Sequence, residues 1–100
     1  MSFERQKSST KALIRFCRDH GNNTRLVDVL DLCLQSLEDD NVESALRHFK
    51  SIPLGGMGCF NDWLPPPVHK GETHDQAFTN FDSLVTDWAL SMKEIESGQE

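Results

Sequence analysis

No stretch of the 100-residue chain approaches the roughly 20 consecutive apolar residues that a helical membrane span requires. Met1-Ser2-Phe3-Glu4-Arg5-Gln6-Lys7 lacks the apolar centre of a secretory signal. Both absences lead us to expect a cytoplasmic protein with no membrane contact. Cysteine is sparse. Cys17, Cys33 and Cys59 are odd in number, widely spaced and contain no Cys-x-x-Cys pair, which excludes a disulfide framework. Alternation of apolar and polar residues is missing, so no strand is expected, and no internal repeat is found. Positive charge is in deficit: ten Lys and Arg face sixteen Asp and Glu, for a formal net charge of −6. Direct nucleic-acid binding, which wants a basic stripe, is therefore disfavoured, whereas a basic protein partner is compatible.

What the chain does contain is helical periodicity. A length of 100 residues suits a single domain. We expect it to span residues 1–100, with about 1–8 and 98–100 frayed. Ala12, Leu13, Phe16 and Cys17 mark a first helix from about Ser9 to His20, with Gly21 as its stop. Asn23 or Thr24 can cap a second helix to about Glu38, whose face of Leu26, Val27, Leu30, Cys33, Leu34 and Leu37 is that of a central helix. Asp40 and Glu43 form an Asp-x-x-Glu box ahead of a third helix over Asn41 to Ser51, ended by Pro53. Thr73 and Gln76 form a second box ahead of a long last helix to about Ser97. Its apolar repeat is Ala77, Phe78, Phe81, Leu84, Val85, Trp88, Met92 and Ile95. Asp75, Asp82, Asp87, Glu94 and Glu96 lie opposite, with Lys93 the only base there. The fold class is thus all-α: a small bundle of about four helices, with a long ordered Gly/Trp/Pro loop before the last.

That loop runs from Pro53 to about Glu72, and its stretch from Gly55 to Pro67 holds half of the six glycines and three of the four prolines. Met57, Phe60, Trp63 and Leu64 can anchor it, and Asn61-Asp62-Trp63-Leu64 could form one helical turn stopped by Pro65-Pro66-Pro67. Phosphate binding is not expected at Gly55-Gly56-Met57-Gly58, because no strand precedes it and neither a helix nor a lysine follows it directly. Cys59, His69 and His74 match no zinc spacing, so no metal or other cofactor is expected. Cys17 and Cys33 fall on core stripes. A thiol enzyme would have to use Cys59 with His69 or His74, and no pair of carboxylates has the spacing of an acid–base couple. We therefore expect no catalysis.

Gly55-Gly56-Met57-Gly58-Cys59-Phe60-Asn61-Asp62 resembles a Gly-Gly-Met-Gly-Ser-x-Asn-Asp loop of small helical bacterial proteins, some of them immunity proteins of the contact-dependent inhibition type. The chain departs from the pattern at Cys59 and in its triple proline. The resemblance implies a non-catalytic protein that covers the active site of a cognate toxin, a basic nuclease domain being one candidate. It carries no catalytic residue. The surface expected to bind the toxin comprises Asp39, Asp40 and Glu43 at the second helix junction, with Asp62 and Trp63 in the loop. Two other classes are compatible: a helical adaptor or regulatory subunit of a larger complex, and a small thiol or metal enzyme.

Overall fold

Four helices account for nearly all the regular structure. They are α1 (Glu4–Asp19), α2 (Arg25–Glu38), α3 (Val42–Ser51) and α4 (His74–Gly98), with a 3-10 turn at Phe60–Asp62 in the long connection before α4. The computed structural model describes residues 3–54 and 60–98, Asn61 through its backbone alone; no strand occurs among the described residues. Gly55 to Cys59, and with them the glycine half of the loop motif, lie outside the described residues.

Helix α1 packs on α2 and α4, and α3 packs on α2 and α4, so the four helices close a ring around one core. The α2–α3 and α1–α4 pairs run antiparallel. Ser36 meets Ser44 and Cys33 meets Ala45 along the α2–α3 seam. Arg5 pairs with Glu94, Ser9 with Ser91 and Phe16 with Phe81 along the α1–α4 seam. One end of the bundle therefore carries the α2–α3 turn. The other carries the α1–α2 turn, the long connection and the start of α4.

The core is built from the expected stripes: Leu13 and Cys17, Val27, Leu30, Cys33 and Leu37, Ala45 and Phe49, and Phe81, Val85, Trp88 and Met92. Trp88 is completely buried and meets Phe49 edge-on at 5.1 Å between ring centroids. Its indole N–H has no oxygen or nitrogen acceptor among the described residues and faces the Cys33 sulfur, a weak one. Phe78 departs from its stripe and is 42% exposed. It stands only one turn from Phe81 but is rotated by ~60° around the helix, enough to leave the core face.

Helix α1 starts at Glu4, five residues ahead of the Ser9 that apolar periodicity suggests. The extra turn is held by polar residues, which an apolar count does not register. Gln6 is buried and donates its amide to the Ser91 carbonyl at 3.0 Å, and Thr10 is buried with its hydroxyl on the Gln6 carbonyl.

The ends of α1 and α2 share one geometry. Asn22 N–H bonds to Cys17 O at 2.8 Å and Gly21 N–H to Arg18 O; Asn41 N–H bonds to Ser36 O at 2.8 Å and Asp40 N–H to Leu37 O. Both are Schellman closures with the residue after the cap in the left-handed region, Gly21 at φ 83° and Asp40 at φ 56°. Asp40 therefore closes α2 and does not begin α3. The cap of α3 is Asn41, whose side chain accepts from Ser44 N–H at 3.1 Å, and this displaces the expected Asp40–Glu43 box. The Thr73–Gln76 box is present in reciprocal form: Gln76 N–H donates to the Thr73 hydroxyl and Thr73 N–H to the Gln76 side chain. At α2, Thr24 stands at the cap position, but its side chain makes no capping bond.

Two stability measurements check this packing. Trp88→Ala removes a fully buried aromatic, at a cost of about 3–5 kcal/mol from the ~5–15 kcal/mol available to a domain. Its cooperative thermal transition is expected to be largely lost, and an unchanged melting temperature would place the wrong face of α4 inside. Asp40→Gly relieves a left-handed residue, and after the added chain entropy the gain is about 0.5–1 kcal/mol. A higher melting temperature is expected; a lower one would contradict the closure described for α2.

Candidate functional site

The long connection is fastened to the bundle at two places. The first is aromatic. Phe60 N–H bonds to Pro53 O, and the 3-10 turn carries Phe60 inward, where it is 2% exposed and meets Phe81 edge-on at 5.4 Å. The turn comes one residue earlier than the expected Asn61–Leu64 turn. Trp63 follows, half-buried, edge-on to Phe81 at 4.9 Å and to Phe16 at 6.3 Å. Pro65 is buried, whereas Leu64 is 74% exposed.

The second fastening is polar. Gly71 turns the chain at φ 81°, and Glu72 then points back at its own loop. Its carboxylate accepts from Val68 N–H at 2.8 Å and from His69 N–H at 3.4 Å. It also meets the Nε2 atom of His20 at 3.0 Å. The His20 side chain is 2% exposed and stacks on Phe16 at 3.9 Å, and its Nδ1 faces the Phe16 carbonyl at 2.9 Å. The Val68 N–H, then the His20 bond, hold the Glu72 carboxyl down to about 2. Both His20 nitrogens are engaged, Nε2 with Glu72 and Nδ1 with the Phe16 carbonyl, so the ring acts as a strut between the end of α1 and the connection. Sequence reading passed over Glu72; its signal was a lone carboxylate just after a Lys-Gly turn and one residue ahead of a helix cap.

The remaining titratable candidates are dispersed. His69 lies near Asp19 at 3.8 Å and His74 is the exposed first residue of α4. No three metal-binding side chains converge among the described residues. Burial pushes the Cys17 and Cys33 thiols up to about 12, far from a reactive thiolate. Cys59 lies outside the described residues.

Of the five residues expected to bind a partner, Asp39, Asp40 and Glu43 are exposed at the α2–α3 turn. Asp62 is exposed and Trp63 half-buried in the connection, at the opposite end of the bundle. The 14 residues of α2 separate the two groups by roughly 20 Å, so they do not form one patch. Charge is also segregated by helix. α1 holds Arg5, Lys7, Lys11, Arg15 and Arg18 against Glu4 and Asp19, while α4 is acidic outward with Lys93 its single Lys or Arg. Arg18 is tied to Asp31 of α2, Arg5 to Glu94, and Lys50 of α3 to Glu96 at 2.6 Å. No helix among the described residues is long and apolar enough to cross a membrane.

Comparison with models of protein families, with curated proteins and with solved structures finds no match for this chain.

The Glu72 strut has a pH signature. A carboxyl lowered from 4.5 to about 2 on folding stabilises the fold fully above pH 4.5 and loses that contribution as pH falls toward 2. Wild type is expected to melt above Glu72→Gln at pH 6, with the gap closing between pH 4.5 and 2. A gap that persists at pH 2 would show that the carboxylate is not what fastens the connection.

Proposed function

We propose that this chain is a non-catalytic immunity protein that acts in the cytoplasm by binding a cognate toxin and covering its active site. The observation that carries the reading is charge on a frame. Exposed carboxylates stand at both ends of a small helical bundle with a net charge of −6, in which α3 and α4 are capped by side-chain bonds. Such a surface complements a basic partner, and nucleases are basic around the cleft that grips phosphate. The loop motif's likeness to that of small bacterial immunity proteins supports the same reading.

Coexpression tests it. A candidate toxin domain is expressed with and without the chain; survival only with the chain is expected. Cells that die equally fast in both cases would overturn the reading for that toxin. With the two purified proteins, the association rate is expected to fall at least about tenfold between low salt and 0.5 M salt. A rate indifferent to salt would remove the electrostatic part of the account.

A further inference from the structure

We infer that the docking face is the outward surface of the first turns of α4 together with Leu64. It takes a basic amphipathic segment: one large apolar side chain flanked by lysines or arginines. This deepens the immunity reading and rests on it for the identity of the partner. Asp75, Phe78 and Asp82 are spaced i−3, i, i+4 and so share one stripe of the helix. All three are exposed, Phe78 by 42%. Among the described residues neither carboxylate has an ion-pair partner. Phe78 is thus an exposed aromatic between two uncommitted negative charges.

The face has a firm backing. Phe81, one turn on, is 1% exposed and held edge-on by both Phe60 and Trp63. Leu64 follows Trp63 directly and is 74% exposed, so Leu64 and Phe78 are exposed apolar side chains next in sequence to, or one helical turn from, members of the packed aromatic cluster. An apolar centre with a charged rim is the composition of a binding hot spot, and a pre-packed backing spares the partner the cost of ordering it. The carboxylates at the α2–α3 turn lack this. No exposed large apolar side chain lies between Asp39 and Glu43. A second copy of the chain is a poor occupant, because an isologous contact would set one acidic rim against another.

The test uses 15N-labelled protein titrated with a synthetic helical 16-residue peptide carrying a leucine face bordered by lysines, and with the same peptide bearing glutamates for lysines. Shifts are expected at 63–64 and 75–82 with the lysine peptide alone. Binding is expected to weaken at least about tenfold in Phe78→Ser and in the Asp75→Asn/Asp82→Asn pair, and by less than about twofold in Asp39→Asn. All the substituted side chains are exposed, so these variants keep the fold, and their melting temperatures verify that. No binding at 1 mM peptide (~4 kcal/mol of affinity), equal response to both peptides, or unchanged binding in Phe78→Ser overturns the inference. Survival assays keep the two proposals distinguishable. If the wild-type chain fails to protect while the peptide footprint stands, the immunity reading falls and the docking face holds. If Phe78→Ser and the Asp75/Asp82 pair protect as well as wild type, the docking face falls and the immunity reading holds.

Discussion

Phe81 is the side chain on which the arrangement depends. Three aromatic residues from two other parts of the chain converge on it: Phe16 stacked from α1, and Phe60 and Trp63 edge-on from the long connection. Edge-on and offset ring contacts are each worth about 0.5–1.5 kcal/mol beyond the area they bury. Here they do what local propensity does not do for the described part of residues 52–73, whose regular structure is a 3-10 turn at Phe60–Asp62. Closing so long a connection costs entropy that grows only slowly with length. A small number of well-placed contacts is therefore sufficient to hold it on the bundle. Glu72 adds directionality, because its bonds to Val68, His69 and His20 specify where the connection returns to the helices.

Much of this was legible from spacing. The second, third and fourth helices lie within a residue or two of their expected bounds, because each has a continuous apolar face and a recognisable stop. The Thr73–Gln76 box formed as expected, since both of its side chains serve the same helix start. The departures have separate physical causes. Gln6 and Thr10 extend α1 through bonds to Ser91 and to its own backbone, so counting apolar residues truncates it. Asp40 is compatible with either of two adjacent helix ends, and the Schellman bonds assign it to the first. Phe78 matches an apolar repeat in number while pointing away from the core in angle.

The expected contact set was less legible, because it was chosen by residue type. Carboxylates at Asp39, Asp40 and Glu43 and the Asp62–Trp63 pair are chemically similar choices, and only the antiparallel helix order places them at opposite ends. Trp63, taken as a candidate anchor for a partner, spends much of its surface on Phe81 and Phe16. Leu64, the next residue, is exposed, as are Val68 and Phe78 at that end of the bundle. The same segregation leaves α1 basic and α4 acidic outward, so the molecule presents faces of opposite sign to its surroundings. Approach of a basic protein is steered toward α4 and away from α1.

Backbone hydrogen exchange of the chain, free and mixed with the lysine-bordered helical peptide, tests this most directly. Added protection confined to residues 63–64 and 75–82, with the α1 amides unchanged, is the result the account predicts. Protection centred on α1, or an exchange pattern identical in the free and mixed samples, would contradict it.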